Sequence, residues 1–305
     1  MGNLRALFHF SRPHTIAATS FQVVGLFFVV VAGRELPGGA LLVLLLAWIA
    51  CLAANIYVVG LNQLTDVAID RINKPMLPLA SGAYSLRQGR IIVVVTGVIA
   101  LGLSAWQSGV LLLTLALVMI IGSIYSLPPT RLKERPLLAA FSIALTRGVI
   151  ANLGVYWHFS LLFGAPTGRL PLLMTWALLF FFGFGVVIAL YKDIPDWAGD
   201  REFAVRTFAV RLGRENVLKL GRWLLTAIYL LPITVGLSLL PGRSGALLLL
   251  PHLAALLIFW TLSLRTSPAA PASMSRLYLS LWALFYAEYA FLVAFSGQQS
   301  VVGGQ

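Results

Sequence analysis

Nine stretches of this chain are each about 20 mostly apolar residues long, which is what a helix needs to cross the hydrocarbon core of a bilayer. They run over roughly 15–33, 39–64, 90–107, 109–127, 137–159, 171–191, 217–240, 245–264 and 277–296. Nothing constrains the fold more. Inside hydrocarbon every backbone N–H and C=O must be satisfied within the chain, so repeated apolar runs of this length mean packed helices. Composition agrees: 59% of the 305 residues are hydrophobic and 10% are charged, against about 25% charged in soluble domains. The expected fold is an all-α integral membrane bundle, a single domain over 1–305.

The connections alternate in character. The N-terminus, 65–89, 128–136, 192–216 and 265–276 are long and basic, whereas those around 34–38, 108, 160–170 and 241–244 are short and nearly uncharged. Of the 22 Lys and Arg, all but four lie in or beside the first set; Arg34, Arg169 and Arg243 belong to the second, and Arg147 falls within a span. Basic loops stay in the cytoplasm. The N-terminus is therefore expected inside and, after nine spans, the C-terminus outside. Membrane topology accounts in the same way for the formal net charge of +12, so nucleic-acid binding is set aside. The single Cys51 excludes disulfides and cysteine-rich zinc sites.

All five Asp residues sit in two short stretches on the basic side. The first is NIYVVGLNQLTDVAIDRINKPMLPLASG, residues 55–82, where an apolar run turns polar. Asn62, Asp66 and Asp70 recur every four residues, which on one helix places them on one face. Two carboxylates that close repel unless a cation lies between them, and Asp with Asn suits magnesium. A solvated helix end is the plain alternative, and the apolar surroundings weigh against it. The second stretch, YKDIPDWAGDREFAVRTFAVRLG, residues 191–213, repeats the spacing with Asp196 and Asp200 and adds Asp193. Pro195 argues against a regular helix through Asp193. Two acidic clusters amid Arg and Lys fit a magnesium–pyrophosphate complex, with metal bridging acids to phosphate oxygens. A hydrocarbon attached to that pyrophosphate would lie among the helices.

Other features admit two readings each. Tyr125, Arg131 and Lys133 in YSLPPTRLKERP reach the same pyrophosphate, or form an ordinary basic turn. Arg201, Arg206, Arg211 and Arg214 form a helix on the membrane surface, or a lid over a phosphate. Tyr125, Tyr191, Trp157 and Trp197 are candidates to shield an allylic cation; most aromatics are packing. Arg147 and Glu288 lie within spans, where ionisable groups must face the interior. They pair with each other, or Arg147 meets a substrate carboxylate. Asn152, just beyond Arg147 in sequence, is expected to line the same cavity. Ser85 is a candidate helix cap. GFG at 183–185 sits in an apolar span with no strand pattern and is not read as a nucleotide loop.

NQLTDVAIDRINKP, YSLPPTRLK and KDIPDWAGD resemble the signature regions of the UbiA superfamily of intramembrane prenyltransferases. NKPMLPLASG, the RG and NLG of the fifth span and KDIPDWAGDREFAVRTFAVRLG are similar to its homogentisate phytyltransferase branch. The resemblance implies nine transmembrane helices around a central cavity with a cytoplasmic cap. It implies Mg2+ held by Asn62, Asp66, Asp70, Asp196 and Asp200, with Asp193 assisting. Arg71, Lys74, Arg131, Lys133 and Lys192 would neutralise the phosphate of a prenyl diphosphate, and a small aromatic acid, homogentisate, would accept the prenyl group with loss of carbon dioxide. Gln63 stands where many relatives carry Asp, which removes one possible ligand and favours the homogentisate branch. No plastid transit peptide precedes the first span, so the expected location is a bacterial inner membrane, or the thylakoid in a cyanobacterium. Rival acceptors or donors are 4-hydroxybenzoate, a chlorophyllide, geranylgeranyl and solanesyl diphosphate. A cation or phosphate transporter is the rival from another class, and acids gathered at one membrane face argue against it.

Overall fold

The computed structural model describes residues 3–164, 170–238 and 242–302. Among them, nine helical segments are long and apolar enough to span a bilayer, each within a few residues of the stretch expected. A short α1 (Asn3–Phe10) precedes α2 (Pro13–Val31) and α3 (Ala40–Thr65). Then come α4 (Val67–Asn73), α5 (Leu86–Gln107) and α6 (Gly109–Ser126). The fifth span is built of α7 (Pro136–Ala144), a π-helical turn at Leu145–Ile150 and α8 (Ala151–Leu162). It is followed by α9 (Leu172–Lys192), α10 (Trp197–Glu202) and α11 (Phe208–Leu212). The last three spans are α12 (Arg214–Ser238), α13 (Gly242–Leu264) and α14 (Pro271–Val302). Arg169, residues 239–241 and the side chain of Arg243 lie outside the described residues.

Local chemistry sets the helix ends. Ser85 caps α5 in a reciprocal capping box with Gln88, satisfying N–H groups that a first turn leaves bare. Pro13 and Pro136 open their helices, where a missing N–H is harmless and a fixed φ is already helical. Ser108 caps α6, and its Oγ also lies 2.8 Å from His158 Nδ1 at the far end of the bundle.

The helices expose Val98, Trp106, Leu41 and Trp223 on the outside, as lipid contact requires. Their contact faces carry small residues, Ala18, Ala47, Ala50, Ala54 and Ala144 among them, because lipid-embedded helices associate by close packing. Gly148 shows how close: a Cβ there would lie 2.5 Å from the backbone Cα of Phe182. Aromatic rings fill the interior between α9 and α14, with Phe181 stacked on Tyr289 at 4.3 Å. The GFG segment is plain helix within α9.

Glu288 does not pair with Arg147. Its carboxylate accepts from Tyr229 Oη at 2.8 Å and lies 3.1 Å from His252 Nε2, tying α12, α13 and α14 together inside the bundle. The face of α14 that carries Glu288 looks toward α12 and α13, and Arg147 meets the helix elsewhere.

The basic connections gather at the end of the bundle where α3, α6 and α9 finish, and α4, α10 and α11 form a cap there. The expected helix of Arg201 to Arg214 is not continuous. It breaks between α10 and α11; Ala204 adopts φ +54°, and Thr207 starts a new helix by capping Val210 N.

Candidate active site

Beneath the cap, a cavity of about 540 Å3 runs into the bundle, and Asn62, Asp66, Asp70, Asp193, Asp196 and Asp200 all line it. The two acidic stretches therefore meet although their sequences are far apart. The first does so without the single helix expected. α3 ends at Asp66, whose backbone leaves helical geometry at φ −117°, ψ 15°. Asp70 stands on the separate α4. In the second, Asp193 closes α9, a turn carries Pro195, and Asp196 opens α10. Pro195 breaks the helix as expected.

Each stretch is held by cations. Lys133 Nζ lies 2.5 Å from Asp66 and donates to Thr65 Oγ1 at 2.9 Å. Lys74 pairs across the mouth with Asp196, and Lys192 lies 2.5 Å from Asp193. Asn62 donates to Asp66 at 3.0 Å and accepts from Arg12 at 3.4 Å. Asp70 is buried, and its carboxylate has no hydrogen-bond or ion-pair partner among the described residues.

Burial dominates the charge balance. It pushes Asp70 up to about 6 and Asp200 up to about 7, the latter helped by the neighbouring Asp193 and Asp196 and opposed by Lys192 and Lys74. Asp193 is raised by burial against the pull of Lys192. Lys133 is lowered by burial although Asp66 opposes the change. Buried carboxylates carrying this strain toward neutrality favour a further cation.

The donors are all oxygens, the hard set that magnesium takes. Among the described residues, no three carboxylates, imidazoles or thiols converge on one point. That suits a metal which keeps water and substrate phosphate in most of its shell. The unpartnered Asp70 carboxylate and the carboxylate oxygens of Asp66, Asp193, Asp196 and Asp200 in the same wall fit such an ion.

Several expected residues lie elsewhere. Arg71 is exposed on the outer face of α4 and does not line the cavity. Arg131 is not in the wall either: it lies 3.5 Å from Asp66 and 2.9 Å from Glu134, behind the first cluster. Asn152 is buried in the helix packing, bonded to Gln22 and Tyr289. Of the proposed aromatic shields, Tyr125 lines the cavity. Tyr191 instead donates to Leu218 O at 2.9 Å, Trp197 stacks with Arg201 and Arg214 in the cap, and Trp157 is partly exposed. Gln63 is fully buried away from the cavity, donating to Phe10 O at 2.7 Å; its position serves the α1 packing.

Three wall residues escaped sequence reading. Asn73 donates to Asp200 at 3.3 Å and accepts from Gly199 N at 2.8 Å, so it clasps the two acidic stretches together. Gly199 makes room for it, since a Cβ there would sit 2.6 Å from Asn73 Oδ1. Arg12 and His14 also face the cavity. Arg12 precedes a proline yet holds φ +53°, a conformation unfavourable on both counts that turns the chain between α1 and α2. Its only sequence signal was the dipeptide Arg12-Pro13.

The profile of the UbiA prenyltransferase family matches residues 21–287. Homogentisate phytyltransferase of Synechocystis sp. is 42% identical over 95% of this chain and 94% of its own length. Homogentisate geranylgeranyltransferase of Triticum aestivum is 35% identical over 96% of this chain and 72% of its own. Among solved structures, a UbiA homolog from Archaeoglobus fulgidus bound to GPP and Mg2+ aligns with a TM-score of 0.67 at 19% identity. That alignment covers 95% of this chain and 99% of the other, and it supports the fold.

Proposed function

The chain belongs to the UbiA prenyltransferase family, and from that premise we propose that it transfers a phytyl group from phytyl diphosphate to homogentisate. The observation that carries the reading is the cavity: both acidic stretches and Lys74, Lys133 and Lys192 line its wall together with apolar residues of the bundle. A diphosphate head fits the charged part and a hydrocarbon tail the apolar part. The relative from Synechocystis, matched nearly end to end, supports homogentisate as acceptor. A cyanobacterial-type membrane, inner or thylakoid, is the location this implies.

Asn62, Asp66 and Asp70 on one side, and Asp193, Asp196 and Asp200 on the other, would hold Mg2+. Bound there, it would neutralise the diphosphate and ease its departure. The protein's own part is positioning and charge. Lys74, Lys133 and Lys192, each paired with an Asp, are placed to turn onto phosphate oxygens, as charge-assisted donors to phosphate do. Tyr125 lines the cavity, and an aromatic ring there would stabilise positive charge developing on the allylic carbon. The apolar walls keep water from the cation.

The bonds balance simply. The allylic C–O bond breaks and its electron pair leaves with the diphosphate. A ring carbon beside a hydroxyl forms the new C–C bond and loses its proton. The acetate carboxylate leaves as carbon dioxide, and the methylene left behind takes up a proton to become methyl.

A phytyl chain is about 20 Å long when extended, inside a core of about 30 Å. Geranylgeranyl diphosphate has the same length and should serve as a weaker donor. The test is to incubate membranes containing the protein with Mg2+, carboxyl-labelled homogentisate and a panel of prenyl diphosphates. Phytylated methylbenzoquinol with release of labelled carbon dioxide is the expected product. Prenylation of 4-hydroxybenzoate in place of homogentisate would replace the acceptor and leave the reaction class standing.

A further inference from the structure

A second cationic feature lies deeper in the same cavity. Arg147 belongs to the π-helical turn Leu145–Ile150. It is eleven residues into its span, about 16 Å along the helix from the mouth at a rise of 1.5 Å per residue. Its guanidinium lies over the ring of Trp282 at 5.0 Å and lines the cavity beside His14 and Thr146. No carboxylate pairs with it, and none of its five N–H donors has a hydrogen-bond partner among the described residues. Thr146 Oγ1 next to it is buried and also without a partner. An uncompensated cation at membrane depth is expensive, and a ring face compensates it only in part. The accessible surface Arg147 retains is therefore the surface it offers to the cavity.

The π turn explains how this position is reached. Widening the helix by one residue frees backbone carbonyls that a regular helix would use. Asn152 takes them up: its Nδ2 donates to Arg147 O at 3.2 Å and to Gly148 O at 2.9 Å. Its Oδ1 accepts from Gln22 Nε2 and from Tyr289 Oη, both at 2.8 Å. All four hydrogen-bonding positions of the amide are thus used, and they fix the turn against α2 and α14.

Resting on the acceptor reading above, we infer that Arg147, with Thr146, anchors the carboxylate of the aromatic acid, and that Asn152 is the positioning residue that holds Arg147 in place. The diphosphate head belongs with the acids and lysines at the mouth, so it does not reach this depth. An aromatic ring with a side-chain carboxylate, together with the forming C–C bond, bridges the interval. The acceptor's ring would then lie between the departing diphosphate and Arg147, its carboxylate pointing inward.

The test measures KM for homogentisate and for phytyl diphosphate separately, in membranes containing wild type, Arg147→Gln, Arg147→Lys, Asn152→Ala and Asn152→Asp. Arg147→Gln should raise the acceptor KM by about thirtyfold or more, as loss of a buried charge partner does, with the donor KM within about twofold of wild type. Arg147→Lys should recover part of the loss, since a point charge lacks the planar fork. Both Asn152 variants should raise the acceptor KM without lowering the thermal midpoint in proportion, because Asp keeps the accepted bonds but cannot donate to the turn. With methylhydroquinone, which lacks the carboxylate, wild type and Arg147→Gln should bind equally well. An unchanged acceptor KM in Arg147→Gln, or an equal rise for both substrates, overturns the inference. If wild type does not use homogentisate, the acceptor reading fails by itself. Equilibrium dialysis of labelled aromatic acids then decides this one: equal binding by wild type and Arg147→Gln refutes it.

Discussion

At the scale of single residues, the acids at the mouth differ in what surrounds them, and their variants should differ accordingly. Asp66 is held by Lys133 and Asn62, and Asp200 by Asn73, so each can lose its charge without losing its place. Asp66→Asn and Asp200→Asn should each cut turnover by at least about a hundredfold, because the leaving group is no longer neutralised, while the purified protein stays folded and monodisperse. Near-normal turnover at saturating Mg2+ would remove these residues from the metal site. Burial holds Asp70 near 6 and Asp200 near 7, well above the ordinary Asp value of about 3.9. The sign follows. The metal-free folded chain binds protons more tightly than the unfolded one, so these two groups stabilise it at low pH. That contribution is lost as pH rises through about 6 to 7. Metal needs the ionised forms, so Mg2+ affinity should weaken by about tenfold or more between pH 8 and pH 6. A calorimetric titration with equal affinity at the two pH values would disprove this coupling.

At the scale of elements, the site depends on two short helices held together. α4 and α10 are too short to persist alone, since isolated helices below about 12 residues are marginal in water. Asn73 joins them through Asp200 and the backbone of Gly199. Asn73→Ala should lower kcat by about tenfold and speed proteolysis of the cap, with the spans still intact. Gly199→Ala forces a Cβ against Asn73 Oδ1 and should be comparably harmful. The double variant should be less impaired than the two losses added, because Asn73→Ala removes the atom with which the new methyl collides. A fully additive pair would mean the clasp is not the point of contact.

At the scale of the whole molecule, charge is arranged along one axis. The long basic connections and the acidic stretches share one end of the bundle, and the positive-inside rule predicts that this end faces the cytoplasm. Arg87 is exposed at the start of α5 on this end, and the single native cysteine, Cys51, is buried. In a Cys51→Ala background, Arg87→Cys should be blocked by a membrane-impermeant maleimide only when vesicles are inside-out. Labelling in right-side-out vesicles would reverse the orientation. On the opposite side of α14 from the cavity, the Glu288, His252 and Tyr229 cluster joins three spans and takes no part in this axis.

Helix number, helix ends and the gathering of acids and bases at one membrane face were legible from sequence because they rest on local rules. A span needs an uninterrupted apolar run, proline and capping serine mark its start, and acids amid bases at a membrane face call for a shared ligand. Counting spans also puts the two acidic stretches on the same side, since an even number between them returns the chain there; that they share one cavity is decided by packing. What sequence could not determine is set by long-range packing. The four-residue spacing of Asn62, Asp66 and Asp70 reads as one helix, yet α3 ends at Asp66. Arg71 and Lys74 look equivalent in a string, and only the placement of α4 turns Lys74 to Asp196 while leaving Arg71 outside. Arg147 and Glu288 look like natural partners in hydrocarbon. Tertiary structure gives Glu288 to His252 and Tyr229 and leaves Arg147 to the cavity, because the side of a helix on which a charge emerges depends on where its neighbours lie, and a π turn shifts that side in a way no hydrophobic periodicity records.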